Sequence, residues 1–581
     1  MHRVAGACAL IVATVIAVDP AGLWPFGPAR WLVVSAGGVC VVVWCLAQQE
    51  WRLDRRTCRL WMVLLACLTA GALVNGDVWI AVVGTDTRHF GVATWLLCCG
   101  LFFAGQQLHG HERALLRACA VAALLVGLWS LWELFVGRPI ALATSSSRLT
   151  GPFGSAALLG AASCLLLPPA MGVAVDQHET RRWRVLAATA TLSCAAAAVG
   201  SGARAAWCGL LFAAVVVAVR VPRARRPLAL AGGVVLLAML LALPQVGTVL
   251  ERDHGTASRL DEWRVATRVV GRHPLLGVGP EGYRIAVSEG VDDAYERAHP
   301  RDEVLPDRAH SSLLDVALAG GLLAAAAYAG LLLVVGSRVV RRLPTSQGAQ
   351  VALAAALLAY FSAQLLLFPV FELDPIAWLL AGVAVAGTQP HTRPAPRRGV
   401  AAGRALTVAG VLIGAAALAG GLLDVAANRL ARHAVSESAA GNDDTAEELA
   451  GRAARLRPDS IAYRMTAVRV LLAADSLTTT DSALRHAAEA VRWSAHDPIA
   501  VDLQATALLQ RALQTGSAAD TAAAVSAWQV LVERDPHRGR WQLQLGIAAA
   551  AAGDSSLARQ AWQRAEALGQ VRATALLQEL P

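Results

Sequence analysis

Long apolar runs separated by short polar connections fill the chain from its N-terminus to about Leu423, and from Asp424 the pattern becomes Ala-rich and amphipathic. A helix that crosses a bilayer takes about 20 mostly apolar residues. On that rule spans are expected near 4–18, 31–47, 60–74, 91–105, 114–136, 155–175, 185–200, 203–219, 227–245, 311–336, 348–368, 374–389 and 405–423. The first run follows Met1-His2-Arg3 without a small-x-small cleavage site, so it reads as a retained helix and not a signal peptide. The expected fold is all-α: a polytopic membrane bundle of about 12–13 transmembrane helices over 1–423, with a large outer loop at 246–310, followed by an α-solenoid over 424–581.

Arginine distribution orients this bundle. With the N-terminus in the cytoplasm, the inner loops hold twenty arginines, among them Arg52, Arg113, Arg181, Arg220, Arg338 and Arg393. The short outer connections hold only Arg30, Arg88, Arg138, Arg148 and Arg204. Positive charge collects in short cytoplasmic loops, so the 246–310 loop and the tail are expected on the outside. The net charge of +9 then reflects membrane insertion, and nucleic acid is not an expected partner.

Composition agrees. The 581 residues are 56% hydrophobic and 16% charged, with a mean hydropathy of +0.49. Soluble domains keep about 25% charged residues, which excludes an ordinary cytosolic enzyme and a disordered or fibrous chain. There is no lysine, so Schiff-base and P-loop lysine chemistry is excluded. The eleven cysteines lie between Cys8 and Cys208, in or beside apolar segments, and read as small packing residues and not as a disulfide framework.

In the tail, helix pairs are punctuated by Arg457-Pro458, Asp497-Pro498 and Asp535-Pro536 at spacings of 40 and 38 residues. Gly546, Gly553, Ala558, Trp562 and Ala565 fall in tetratricopeptide register, where small residues let antiparallel helices approach and Trp562 fills the groove. About three degenerate units are expected, binding a protein or glycan partner or acting as a cap.

Polar residues at the outer ends of the spans are the candidates for chemistry. Arg204 follows the Gly200-Ser201-Gly202 break between two apolar helices. Arg259, Trp263 and Arg264 lie early in the outer loop, and Asp307, Arg308 and His310 end it where the next span opens. Gly277, Gly279 and Gly282 spell GxGxxG, but Pro280 interrupts it and no strand precedes it, so it is a turn and not a dinucleotide site. The acidic residues Asp292, Asp293, Glu296, Asp302, Glu303 and Asp307 match no cation-coordinating loop and read as a solvated face. A neutral imidazole can accept a hydroxyl proton and guanidiniums can hold a diphosphate bidentately. Together they suggest an anionic-lipid transferase site at the outer face.

These residues resemble the O-antigen ligase and polymerase superfamily of GT-C-type glycosyltransferases over roughly residues 10–390. The resemblance rests on Asp19-Pro20, on Arg88 with Gly91, on Arg148 to Gly154 and on Ser201 to Arg204. It continues through Ser258-Arg259 with Trp263, His273 to Gly279, and His310 to Asp315 followed by Gly320-Gly321. It implies metal-independent, inverting, cofactor-free transfer from an undecaprenyl-diphosphate glycan to a lipid or protein acceptor hydroxyl. Arg204 and Arg259 would then engage the diphosphate, His310 would activate the acceptor, and Arg88, Arg148, Arg264 and Arg308 would assist substrate binding. The family usually has Asn after the catalytic His, where this chain has Ser311. Two other classes compete: a polysaccharide or lipid transporter or flippase, which would show internal inverted symmetry, and a membrane scaffold presenting the repeats, in which Arg204, Arg259 and His310 would all be dispensable.

Overall fold

The computed structural model describes residues 2–46, 54–74, 76–140, 148–226, 255–301, 306–386 and 400–579, together with Gly233. It is all-helical, with no strand among the described residues. Among the described residues seven helices are long and apolar enough to cross a membrane, and four shorter apolar helices lie among them. Every expected span but one coincides with a helix or a run of helices. The 227–245 run lies outside the described residues save Gly233, as do Asp302 and Glu303.

Small residues let the helices approach closely, as membrane helices do where burial against lipid supplies no driving force. Val92–Gln106 packs on Asp374–Ala386. A Cβ on Gly105 would lie 2.0 Å from the Leu379 carbonyl oxygen, and one on Gly382 would lie 1.9 Å from that of Phe102. Arg55–Val74 packs on Ser312–Arg342, Glu112–Phe135 on Arg181–Gly200, and Arg204–Arg220 on Gly348–Gln364. All eleven cysteines are free, and Cys45, Cys98, Cys119, Cys164 and Cys194 are buried in the bundle, as packing residues would be.

The last membrane helix departs from expectation. The 405–423 run does not end at Leu423; one helix runs unbroken from Val400 to Ala439. No proline interrupts it and Gly420-Gly421 stay helical, so the change from apolar to polar residues alters what surrounds the helix without ending it. Eight further helices follow between Asp443 and Glu579, paired as hairpins. The Pro-marked positions are their turns: Asp497 caps Pro498–Thr515 by accepting from the Ile499 and Ala500 amides, with Pro498 in the first helical turn. Trp562 donates to the Leu543 carbonyl at 3.2 Å over the space left by Gly546.

This array is bolted to the loop and bundle. Arg301 holds Asp535 bidentately at 2.7 and 3.1 Å and Glu296 at 2.6 Å, all buried, while Arg538 donates to the Arg301 carbonyl. Arg564 and His537 hold Asp293, Arg284 pairs with Asp497, and Arg429 pairs with Asp19. Two of the acidic residues expected to be solvated, Asp293 and Glu296, are therefore engaged in fixing the tail, while Asp292 caps its own short helix.

Candidate active site

The loop before the Ser312–Arg342 helix reaches the bundle through its glycines. Val278 donates to the Leu318 carbonyl at 2.7 Å and Leu322 to that of Pro274 at 2.8 Å. The Ser312–Arg342 helix is kinked at Gly321, whose φ is +80°, and a Cβ there would lie 2.1 Å from the Leu275 carbonyl oxygen. The GxGxxG segment is thus a turn, as expected, and its role is to seat the loop in a break of a membrane helix.

That seating delivers 306–311 to the head of the same helix. His310 has φ of +51°, a left-handed conformation unusual for a residue with a side chain. Its backbone is pinned by Asp315, whose carboxylate accepts from the Ala309 amide at 2.8 Å while the Asp315 amide donates to the Ser311 carbonyl at 2.8 Å. Ser311 is the N-cap but makes no side-chain capping bond. Next to it, Arg308 pairs with Glu281 at 2.5 Å, and Glu281 also accepts from Thr85 at 3.2 Å. Arg88 grips Asp307 through two bonds of 2.6 and 3.2 Å. Among the described residues four non-glycines have positive φ, and three of them, His89, Glu281 and His310, belong to this one cluster. Such strain persists only where surrounding contacts over-determine it.

Phe368 is the meeting point. Its ring lies 5.2 Å from that of His310, edge-on, and 5.0 Å from the Arg88 guanidinium. Two residues earlier, the Leu366 carbonyl accepts from Arg259 at 3.4 Å. Arg204 opens the Arg204–Arg220 helix, which runs beside Gly348–Gln364 so closely that a Cβ on Gly209 would lie 2.4 Å from the Ala359 carbonyl oxygen and 2.9 Å from Ala363. Gly209 is five residues from Arg204, so Arg204 sits at the end of that pair where the 365–368 turn begins. Of the sequence-predicted residues, the 365–368 turn touches His310, Arg259 and Arg88 and is joined to Arg308 through the chain beside His310, while Arg204 heads the helix packed on the one that leads into the turn.

Two others stand apart in their contacts. Arg148 donates to the Ser201 carbonyl at 2.8 Å, which ties the 148–150 segment to the Gly200-Ser201-Gly202 break. Arg264 is largely exposed and pairs with Asp261 at 2.6 Å. Sequence reasoning missed Phe368, Glu281 and Asp315 as parts of the cluster. Only Asp315 carried a signal, four residues beyond Ser311 at the spacing of one helical turn.

The electrostatics favour a neutral imidazole. Burial, reinforced by the Arg259 charge, brings His310 down from 6.5 to about 4, against the opposing pull of Asp307. Burial resists ionisation of Asp307, yet Arg88 and Arg308 hold its carboxyl below the ordinary value. His310 Nδ1 is buried and has no hydrogen-bond partner. The cluster therefore holds a neutral base among guanidiniums, an arrangement suited to taking a proton beside an anion.

No curated protein matches the chain. The O-antigen ligase family model matches residues 188–329, a segment that holds Arg204, Arg259, Arg264, Arg308 and His310, with Arg88 and Arg148 before it. The chain is a multi-pass helical membrane protein that carries, over 188–329, a domain of the O-antigen ligase family of cell-surface polysaccharide biosynthesis.

Proposed function

We propose that this protein transfers a glycan from an undecaprenyl-diphosphate carrier to an acceptor hydroxyl at the outer face of the cytoplasmic membrane. The observation that carries the reading is the gathering of His310, Arg259 and Arg88 on the 365–368 turn, at the mouth of a helix pair that Arg204 opens. The acceptor oxygen attacks the anomeric carbon from the face opposite the diphosphate, so the configuration inverts. As the new C–O bond forms, the bond to the carrier oxygen breaks and its electron pair leaves on the diphosphate. His310 takes the hydroxyl proton, and Arg204 and Arg259 take up the departing charge. Glycosyl diphosphates leave readily, so positioning and charge neutralisation suffice without a metal.

Arg88 and Arg308 are already committed to Asp307 and Glu281, which suits them to hold the His310 segment in place. Arg148 props the Gly200-Ser201-Gly202 break from which Arg204 emerges. Arg264 is read as a contact for the glycan beyond the diphosphate. The tail is read as an extracytoplasmic tetratricopeptide-like array whose first task is to brace the outer loop, and a protein acceptor or partner would use its remaining surface.

The test follows undecaprenyl diphosphate release by the detergent-purified protein given lipid-linked glycan and candidate acceptors. Release is expected to vanish in His310→Ala and Arg204→Ala and to survive chelator. Absence of release by the wild type would favour transport or scaffolding, and release unchanged by both substitutions would move the site elsewhere.

A further inference from the structure

A cavity of about 410 Å3 opens between the bundle and the tail. Its inner wall comes from Trp79 on the Val78–Val83 helix and from Asp86, Arg88 and His89 in the loop that follows, and its side from Glu281, Arg284 and Asp307. The tail forms the roof, with Arg457 and Asp459 from one hairpin turn, Met465 from the helix after it, and Asp497 and Ile499 from the next. At its inner end lie Arg88 and Asp307, the pair that also borders Phe368 and His310. Both ring nitrogens of His89, a residue only 2% exposed, lack a hydrogen-bond partner, as does Nε of Arg284.

We infer that this tail-roofed cavity is a saccharide subsite: it takes a neutral sugar unit of the glycan substrates beside the reacting centre. The inference rests on the glycan-transfer reading above and adds a function for the tail. Charge argues for a sugar over an anion. The lining carries five carboxylates (Asp86, Glu281, Asp307, Asp459 and Asp497) against three guanidiniums (Arg88, Arg284 and Arg457). Even with Asp86 protonated, as burial favours, positive charge is not in excess. The charges are moreover matched in place: Arg88 with Asp307, Arg284 with Asp497, Arg457 with Asp459. A wall of alternating fixed donors and acceptors suits hydroxyls, each of which both donates and accepts. Trp79 adds an aromatic surface held by its bond to Asp459 at 3.3 Å, and Met465 adds an apolar one. The volume lies within the range of about 300–1,000 Å3 usual for small-molecule pockets.

The test uses the full chain in detergent, with N-acetylglucosamine, galactose and mannose as separate probes read by saturation-transfer NMR. Transfer to at least one sugar is expected for the wild type. It should fall to background in Met465→Trp, which fills the cavity, and persist in Met465→Leu and in His310→Ala. Ile499→Trp fills the cavity from the neighbouring hairpin and replaces Met465→Trp if that variant does not elute as a folded species. Equal signals from the wild type and a folded filled variant would overturn the subsite, as would absence of transfer to every sugar, or displacement of the sugar by inorganic diphosphate. Sugar binding without any glycan transfer would discard the enzymatic reading and leave the cavity standing. In the turnover assay, a filled variant that raises KM for the acceptor assigns the cavity to the acceptor sugar, and one that raises KM for the lipid-linked donor assigns it to the donor sugar.

Discussion

His310 combines three properties that rarely meet in one residue: a left-handed backbone, a buried ring nitrogen without a partner, and an imidazole held neutral by burial and the Arg259 charge. Replacing it with Ala should lower turnover by on the order of 10²–10⁴-fold, the usual contribution of a positioned general base. The pH profile tests the same residue more sharply. With the free-enzyme value at about 4, the acid limb of kcat/KM should lie near there and well below 6.5. A bound diphosphate offsets the guanidiniums, so the acid limb of kcat should sit higher than that of kcat/KM; coincident limbs near 6.5 would contradict the assignment. Stability carries the same sign. Because the fold depresses this imidazole, the unfolded chain binds the proton first, and the contribution of His310 is present above about 6.5 and is lost as pH falls toward about 4.

Helices and loops show why the motifs have their spacing. The Gly277 turn and the Gly320-Gly321 pair lie far apart in sequence, yet each is shaped to admit the other: a Cβ on Gly277 would lie 2.2 Å from the Leu318 carbonyl oxygen. Gly321→Ala should therefore unseat the loop, lowering the melting temperature and undecaprenyl diphosphate release together; a variant with both unchanged would show that the kink is incidental. The Arg301–Asp535 bridge makes a second prediction. Removing one partner of a buried ion pair costs about 3–5 kcal/mol because the other charge is stranded. Arg301→Ala strands Asp535 and Glu296, so chemical unfolding should shift by that order, with the loop and the tail losing protection from proteolysis together. The helix positions were legible in the sequence because apolar runs of bilayer length have few alternative structures. The continuity of Val400–Ala439 was not, since a change of solvent along a helix leaves the backbone pattern untouched.

At the scale of the whole molecule, the bundle, outer loop and tail meet around one cavity. The arginine distribution predicts that this end faces outward. Single cysteines introduced at exposed tail positions such as Ser555, in a background lacking the native cysteines, should react with a membrane-impermeant maleimide in intact cells. A cysteine at His178, between Ala156–Val175 and Arg181–Gly200, should react only after permeabilisation. The reverse pattern would invert the topology and remove the outer-face reading. By itself the sequence determined the all-helical class, the positions of nearly all the apolar helices and the charge asymmetry, because burial in lipid and helical periodicity act locally along the chain. Only the tertiary structure decided that Phe368, Glu281 and Asp315 hold the cluster around His310, that the acidic loop fastens the tail, and that the tail roofs a cavity. Those outcomes depend on pairs such as Arg301 with Asp535, 234 residues apart, and nothing local in a sequence records which distant partner a charge will meet.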